Sequence, residues 1–517
     1  MKHNQISRSV AFSLVALSAT KGLSAATLSE EKKPNVIFIY TDDQDFDKIG
    51  CYGGKVLTPN MDRIAEEGVR FTRGYVTTSV CTPSRYSAMT GQYAGRNEYL
   101  QQKYAGSSDP VMMAWNLKLQ PGERTIAETL KENGYATGMV GKWMIGFPKM
   151  DPVSPDANPN DPSVQAVLQR NYRRGQEHIR SVGGFDYVEG VYITNPMGME
   201  LPDSFKVHNQ EWLTASALNF IDANQARPFF LYFATTMPHN PDLLESMHAD
   251  PRITPAGFLD QVPHVQPDRD SVIRRTQRAG YPLSQWAGLT WLDDGIGAIL
   301  DRLDELHLSE NTIIIFASDN LSHDYGKLTC YEYGTRVPFM VRWKGKISPA
   351  VSGEIVANID IAATILDLCG LSTSAMKTDG RSFAPLLRSD SKGWRDSLYL
   401  ESAYARAVVT KQWKYVAVRF PKELQQKLDS GEVTQMPQTG DFLDHGHVFY
   451  ECDRKFPGYF DRDQLYDLEN DPYEQHNLAG DPEYAPVLKQ MKEKLTQACE
   501  DMPHAFGEFK QIEENHE

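Results

Sequence analysis

Cysteine is scarce in this sequence and widely spaced. The 517 residues contain six cysteines, at positions 51, 81, 330, 369, 452 and 499. No two of them form the Cys-x-x-Cys pair of a zinc site, and so few cysteines cannot build a dense disulfide framework. Metal binding through cysteine clusters and a disulfide scaffold are therefore not expected.

The sequence also lacks an apolar segment of transmembrane length. Near the N-terminus, Lys2 and Arg8 precede a short apolar run at 10–19, and small residues follow at 24–26. This order is typical of a secretory signal peptide. We expect residues 1–26 to be that signal, with a periplasmic or secreted protein and no membrane anchor; the alternative is a frayed N-terminal helix.

Positive charge is in deficit. The chain has 53 Lys and Arg residues against 68 Asp and Glu, which gives a formal net charge of −15 at pH 7. Nucleic-acid partners attract proteins with an excess of cations, so a nucleic-acid function is not expected. An anionic substrate would have to be held by cations placed locally.

Two continuous apolar runs, at 36–40 and 313–317, each lead into a pair of oxygen-bearing side chains. The first pair is Asp42-Asp43 and the second is Asp319-Asn320. Short continuous runs are typical of strands that are covered on both faces, as in parallel sheets. Because ligands bind beyond the carboxyl ends of such strands, we expect both pairs on one rim of a sheet.

Further strands and helices alternate along the chain. A third apolar run at 229–234 precedes His239, and a shorter one ends at Lys142. Alternating strands and helices predict an α/β fold with a large, mostly parallel sheet between helices. After about residue 388 the pattern changes to alternating strands and turns, so we expect a catalytic domain at 27–388 and a smaller antiparallel-sheet subdomain at 389–517.

The segment SVCTPSRYSAMTGQ places Cys81 at a predicted helix start. Pro83 suits the first helical turn and Gly91 the position after the end, so the spacing predicts a helix from Pro83 to about Thr90. A helix N-terminus with Arg85 one turn further favours an anion. From these residues alone, Cys81 is either a half-buried thiol or a thiolate nucleophile.

The two pairs at the strand ends offer only oxygen ligands. Such a set suits a hard cation, with Ca²⁺ or Mg²⁺ as the candidates, rather than zinc. Either pair alone is commonly a turn or a helix cap. The other candidate side chains are cations or a nucleophile position: Cys81, Arg85, Lys142, His239 and Lys327. A metal, several cations and a nucleophile suit transfer at a phosphorus or sulfur anion.

Seven motifs occur in the order found in one enzyme family. They are TDDQ at 41–44, CTPSR at 81–85, GKW at 141–143, PHNP at 238–241, SDN at 318–320, GKLTCYEYGTRVP at 326–338 and LYDLENDPYEQHNLA at 465–479. The chain thereby resembles the type I sulfatases of the alkaline-phosphatase-like superfamily over nearly its whole mature length. The resemblance implies that superfamily's large mixed, mostly parallel sheet between helices.

The resemblance also implies a role for each candidate residue. A maturation enzyme would oxidise Cys81 to formylglycine, whose hydrate attacks the sulfate sulfur, releases the alcohol and then expels sulfate. The remaining roles implied are calcium ligands for Asp42, Asp43, Asp319 and Asn320; a contact to the formylglycine hydroxyl for Arg85; sulfate binding for Lys142 and Lys327; and protonation of the leaving oxygen for His239.

Two positions depart from the family pattern. Residues 141–146 read GKWMIG, so Met144 stands where the family usually has a histidine that contacts formylglycine and assists sulfate release. Methionine cannot transfer protons. Leu321 follows Asn320 where glycine is frequent, and His323 lies close by in the sequence. His323 either replaces the missing imidazole or is an ordinary loop residue.

Three functions are therefore considered. The first is hydrolysis of a sulfate ester, with a sulfated carbohydrate as the expected substrate. The second is a phosphonate or phosphate ester hydrolase, because related enzymes share the cysteine motif and the metal site. The third is a non-catalytic binder of sulfated glycans, which Met144 would suit.

Overall fold

The computed structural model describes Met1 and residues 32–322, 326–432 and 452–512. The predicted signal peptide, apart from Met1, and His323 lie outside the described residues. The fold below is that of the compact unit Lys33–Glu517.

Fourteen strands are present in the described part of this unit. In chain order they are β1 (Asn35–Asp42), β2 (Gly68–Tyr75), β3 (Ala136–Lys142), β4 (Tyr187–Tyr192), β5 (Phe229–Pro238), β6 (Ile253–Thr254), β7 (Gly257–Phe258), β8 (Thr312–Ser318), β9 (Phe339–Trp343), β10 (Ala350–Ala357), β11 (Leu398–Ser402), β12 (Ala405–Val409), β13 (Trp413–Val418) and β14 (Asp463–Asp467).

The described residues also form fourteen α-helices, several of them only one or two turns long. They are α1 (Pro59–Glu66), α2 (Cys81–Thr90), α3 (Glu98–Lys103), α4 (Ile126–Glu132), α5 (Pro162–Gly183), α6 (Gln210–Asn224), α7 (Leu243–His248), α8 (Arg269–Arg278), α9 (Ser284–Glu305), α10 (Glu332–Thr335), α11 (Ile361–Leu368), α12 (Lys422–Asp429), α13 (Cys452–Lys455) and α14 (Ala485–Glu500).

Eight strands form one large sheet in the order β10-β2-β9-β8-β1-β5-β3-β4. β9 runs antiparallel to both of its neighbours, and every other pair in this sheet is parallel. The predicted α/β class with a large mixed, mostly parallel sheet is confirmed.

Helices cover both faces of this sheet. Every residue of β1, β3, β5 and β8 is buried. Along β1, Phe38 and Tyr40 pack on one face with residues of α2, α4 and α11. Ile37 and Ile39 pack on the other face with residues of α1, α6 and α9. Burial on both faces is why these strands read as continuous apolar runs.

The C-terminal part contains a separate four-stranded sheet. Its order is β11-β12-β13-β14, with all neighbours antiparallel, and α14 packs against it through Met491, Leu495 and Cys499. The predicted antiparallel sheet is therefore confirmed, whereas the domain boundary at 388/389 stays a prediction. Among the described residues, no helix combines the length and apolar character needed to cross a bilayer.

Candidate active site

The two oxygen-bearing pairs lie side by side at one rim of the large sheet. β1 and β8 are parallel neighbours in which Thr41 pairs with Ser318, so the residues that follow emerge together. Asp43 has a left-handed backbone (φ 62°), and its N–H donates to Oδ1 of Asp319 at 3.2 Å. The shared rim predicted from the sequence is present.

Helix α2 brings Cys81 to this rim. The helix begins at Cys81, two residues before the predicted Pro83, and ends at Thr90. Gly91 follows in left-handed backbone (φ 67°) and its N–H donates to the Ser87 carbonyl, as expected for a helix C-cap. The Cys81 Sγ lies 3.6 Å from Oδ1 of Asp42 and 3.6 Å from Oδ1 of Asn320.

The oxygen ligands are close enough together to fit one cation. Single ligand atoms of Asp42, Asp43, Cys81 and Asp319 all lie within 4.8 Å of one another, and all four residues are buried. Burial, and then the charge of Asp42, raises the pKa of Asp319 to about 6. A cluster of buried carboxylates with an adjacent amide oxygen is a suitable donor set for a hard cation.

Three buried cations face the three carboxylates. Lys142 Nζ lies 2.7 Å from Oδ2 of Asp42. Lys327 Nζ lies 2.8 Å and 3.0 Å from the two oxygens of Asp43. Arg85 contacts Asp319 through Nε at 2.9 Å and Nη2 at 2.8 Å. This pairing lets six charged side chains be buried together.

Gly141 determines how Lys142 reaches the site. Its backbone is left-handed (φ 102°), and a Cβ there would come within 1.8 Å of the Ala234 carbonyl oxygen on β5. Only glycine tolerates both conditions. The Gly-Lys-Trp motif thus has a local structural reason: the glycine lets the end of β3 approach β5, where Lys142 contacts Asp42.

The Cys81 thiol is protonated in this environment. Burial, and then the negative charge of Asp319, raises its pKa to about 12, although Lys142 and Lys327 oppose the effect. The thiolate is the nucleophilic form of cysteine. Burial beside carboxylates therefore disfavours the thiolate alternative that the helix position suggested.

His239 lies on the open side of the rim. Its Nε2 is 3.7 Å from Oδ2 of Asp43 and 3.0 Å from Nδ2 of Asn195. Its Nδ1 is 3.1 Å from the Asn240 carbonyl oxygen. Its side chain is 14% exposed. The other eight predicted site residues are each at most 2% exposed. His239 is thus the most solvent-exposed of the nine predicted site residues.

Two contacts of His239 and its loop were not predicted from the sequence. Asn195 follows β4 and bonds the imidazole directly. His208 is buried, and its Nε2 lies 2.9 Å from the His239 carbonyl oxygen and 3.2 Å from that of Pro241. Burial lowers the pKa of His208 to about 4, so the neutral ring donates from Nε2 and accepts from Thr236 at Nδ1. No motif or spacing in the sequence marks either residue.

Met144 and Leu321, the two residues that depart from the family pattern, both have defined contacts. Met144 has left-handed backbone (φ 65°), and its sulfur lies 3.0 Å from the hydroxyl of Thr194. Leu321 is buried against Val76 and Val337. The imidazole of His323, the suggested substitute, lies outside the described residues.

Comparison with known proteins relates this chain to sulfatases. A model of the sulfatase family matches residues 34–371, and a model described as N-sulphoglucosamine sulphohydrolase, C-terminal, matches residues 323–426. The chain is 32% identical to an arylsulfatase of Hemicentrotus pulcherrimus, over 71% of this chain and 64% of that protein. It is 29% identical to arylsulfatase A of Homo sapiens, over 93% of this chain and 91% of that protein.

Bacterial proteins are also similar. An N-acetylgalactosamine-6-O-sulfatase of Bacteroides thetaiotaomicron is 27% identical over 90% of this chain and 93% of its own length. A solved structure from work on glycosaminoglycan metabolism by the same organism superimposes with a TM-score of 0.60 at 25% identity, over 90% of this chain and 99% of that one. Since the family model matches more than half of the sequence, this chain belongs to the sulfatase family, the sulfuric ester hydrolases of the alkaline-phosphatase-like superfamily.

Proposed function

We propose that this protein hydrolyses a sulfate ester of a carbohydrate, with Cys81 converted to formylglycine by a maturation enzyme. One observation carries the proposal: Cys81 begins a buried helix at a rim where Lys142, Lys327 and Arg85 each pair with one of the carboxylates that surround it. Relatives named for sulfated amino sugars, such as N-acetylglucosamine-6-O-sulfatase, support a carbohydrate substrate.

The cations would bind and orient the sulfate group. Lys142 and Lys327 approach the rim from β3 and from the segment after β8, and both are buried, so their charges are weakly screened. In the bound state each ammonium would turn part of its interaction from a carboxylate to a sulfate oxygen. Arg85 would orient the oxidised side chain at position 81, which supplies the nucleophile when it is present.

Asp42, Asp43, Asp319 and Asn320 would hold Ca²⁺, with Mg²⁺ as the alternative. Their buried oxygens are the ligand type that both ions prefer. When bound, the cation withdraws electron density from a sulfate oxygen and lowers the pKa of a neighbouring hydroxyl.

His239 would deliver a proton to the leaving alcohol oxygen. Its Nε2 faces the rim, while Nδ1 donates to the Asn240 carbonyl and so fixes the ring. General acids in such positions contribute roughly 10²–10⁴-fold to rate. The alcohol part of the substrate would therefore lie on the exposed side of the site, beside His239 and Asn195.

Processing and location follow as further proposals. Residues 1–26 would direct the protein to the periplasm or the exterior and would then be removed. The catalytic domain at 27–388 would carry all nine proposed site residues. The subdomain at 389–517 would contribute the sheet that begins with β11 at Leu398.

A second candidate function is a binder of sulfated glycans without turnover. Met144 favours it, because a thioether replaces an imidazole that would exchange protons with the nucleophile. A phosphate or phosphonate ester hydrolase would use the same residues, and no contact in the described site selects it over the sulfatase.

A substrate panel tests the proposal. Protein from a host with the maturation enzyme is assayed with 4-nitrophenyl sulfate, N-acetylgalactosamine 6-sulfate and N-acetylglucosamine 6-sulfate, and with 4-nitrophenyl phosphate and a matched phosphonate ester. Cys81→Ala serves as the control. We expect sulfate release from at least one sulfate ester and little phosphate release. Faster hydrolysis of the phosphate or phosphonate ester would identify a phosphate or phosphonate ester hydrolase. Binding of sulfated glycans without turnover would identify a non-catalytic binder.

A further inference from the structure

An apolar cavity of about 340 Å³ lies at the edge of the large sheet. It is enclosed by α5 and by the segments that follow β3 and β4. Most of its wall is hydrophobic, with Phe147, Met150, Tyr172, Ile193, Met199 and Leu201 among the lining side chains. Ligand sites of this size are typically apolar with few polar groups.

The polar side chains of the wall are few, and one is already fully engaged. Asn171 accepts from the backbone N–H of Asp151 at 2.9 Å and donates to its carbonyl at 2.8 Å. Lys149 and Glu200 are exposed, so they lie toward the solvent side. Sugar hydroxyls buried against this wall would find few partners, which is costly.

One lining residue of the cavity, Thr194, is next in sequence to a residue that contacts His239. Thr194 lines it, and the Thr194 hydroxyl contacts the sulfur of Met144 at 3.0 Å. The next residue, Asn195, contacts Nε2 of His239 at 3.0 Å. If His239 protonates the leaving oxygen, the cavity would lie on the alcohol side of the ester.

A glycine inside α5 leaves the space open. Gly175 lies within this 22-residue helix and lines the cavity. It does not have positive φ, and a Cβ there would make only ordinary contacts, 3.5 Å to Ile193 and 3.7 Å to Met150. Glycine in a helix interior destabilises the fold relative to alanine. Neither backbone geometry nor a steric clash requires glycine at this position. The effect of the missing side chain is to leave the cavity larger.

Apolar surface is also exposed at the mouth of the cavity. Phe147, which lines it, is 56% exposed, and Met197, next to the lining residue Gly198, is 55% exposed. Few other large apolar side chains of the described residues are as exposed. Exposed apolar patches beside a cavity are typical of ligand-binding surfaces.

We propose that this cavity binds an apolar group, alkyl or aryl, on the alcohol part of the sulfate ester. The substrate class is then an amphipathic sulfate ester, such as a sugar sulfate with an apolar aglycone or an acyl substituent. The location of the sulfate end rests on the proposed function, whereas the cavity and its apolar wall do not.

Linear alkanesulfonates from ethane- to octanesulfonate test this proposal. They carry an anionic head group like that of a sulfate ester, but their carbon–sulfur bond is not an ester and is not hydrolysed. Titration calorimetry of the full chain should give a Kd that falls by up to about fourfold for each methylene that enters the cavity. A Kd independent of chain length would overturn the proposal.

Variants of α5 locate the effect. Gly175→Leu fills the cavity and should remove most of the dependence on chain length, whereas Gly175→Ala should keep most of it. Arg173→Leu adds the same side chain at an exposed position of the helix and should leave the dependence as in the wild type. If Gly175→Leu does not fold, Met150→Gln, which makes the wall polar at similar size, should weaken the dependence. A dependence unchanged in the cavity variants would also overturn the proposal.

Turnover of sulfate esters and binding of sulfonates, measured on the same protein, separate this proposal from the catalytic one. If sulfate esters are turned over but sulfonate affinity does not depend on chain length, the cavity proposal fails and the proposed function stands. If no sulfate ester is turned over but affinity depends on chain length and on Gly175, the cavity stands and the proposed function fails.

Discussion

The hydroxyl of Thr194 donates a hydrogen bond to the sulfur of Met144 across 3.0 Å. Met144 occupies left-handed backbone (φ 65°), a conformation in which histidine is several-fold enriched among non-glycine residues. The backbone at this position is thus well suited to the histidine that the family pattern contains. The side chain that is present cannot exchange a proton with the formylglycine proposed at position 81.

Met144→His should therefore raise kcat by about tenfold or more, as expected when a proton-transfer group is restored. If sulfate release limits the present enzyme, kcat/KM should change less, because it reports only steps through the first irreversible one. Stopped-flow measurement with 4-nitrophenyl sulfate should show a burst of nitrophenol, stoichiometric with enzyme, that diminishes in the variant. No burst together with an unchanged kcat would mean that Met144 only shapes the pocket.

Cys81 should be oxidised in protein from a maturation-competent host. Peptide mass analysis should find the aldehyde in place of the thiol, in proportion to specific activity. Cys81→Ala should abolish turnover, and because it removes one buried atom it should shift the unfolding temperature by no more than about 2–4 °C. Full activity in protein whose Cys81 is wholly unmodified would contradict the formylglycine mechanism.

Calcium should stabilise the folded protein through the rim carboxylates. A ligand at 100 times its Kd adds about 2.7 kcal/mol to the free energy of unfolding. Calorimetric scans with and without Ca²⁺ should show this gain in the wild type and its loss in Asp319→Asn, which should also have low activity. Asp301→Asn, at a side chain that is 68% exposed, is the matched control and should keep the gain. Undiminished activity after exhaustive chelation would rule out a catalytic metal.

Much of the sheet and its rim could be predicted from local sequence. The runs in β1, β5 and β8 are continuous because helices cover both faces, so apolar content alone indicates buried strands. That β1 and β8 are neighbours is not encoded locally, since Asp43 and Asp319 are 276 residues apart. The parallel-sheet rule predicted only a common rim, and the resemblance assigned both pairs to one calcium ion.

The parts that were not predicted depend on contacts without a sequence pattern. His208 lies in a loop before α6, and only the folded chain brings its ring to the turn that carries His239. Gly175 reads in the sequence as a weak helix former, and its role in a cavity depends on Ile193 and Met150 packing opposite it. Contacts of this kind are set by tertiary packing rather than by periodicity.

The ionisation of Asp463 on β14 should make the free energy of unfolding depend on pH. Burial alone would raise its pKa, but hydrogen bonds from Lys492, Tyr415 and Arg419 outweigh this and lower the pKa to about 2. The unfolded chain therefore binds this proton more readily than the folded one. The stabilisation is present above pH 4 and is lost as the pH falls through 2.

Asp463→Asn should accordingly lower the free energy of unfolding at pH 7 by about 1–3 kcal/mol. The difference from the wild type should shrink between pH 4 and pH 2, as measured by urea unfolding across that range. Glu469→Gln, at an exposed position after the same strand, is the control and should be nearly neutral. A difference that does not vary with pH would show that the ionised carboxylate is not the cause.

His208 should act as a positioning residue for His239. Its Nε2 donates to the carbonyls of His239 and Pro241, so its removal should displace the imidazole proposed to protonate the leaving group. A 4-nitrophenolate ion leaves without that proton, whereas a sugar alkoxide needs it. His208→Asn should therefore lower kcat/KM for a sugar sulfate by about 10–100-fold and that for 4-nitrophenyl sulfate much less.

The comparison of the two substrates distinguishes positioning from general loss of structure. A folding defect would reduce both activities by the same factor, and that outcome would refute the positioning role. His248→Asn, at an exposed position on α7, should leave both activities as in the wild type. In a background of His239→Ala, adding His208→Asn should have little further effect on the sugar sulfate, because residues that act through one group are not additive. A full additional loss in the double variant would place the function of His208 elsewhere.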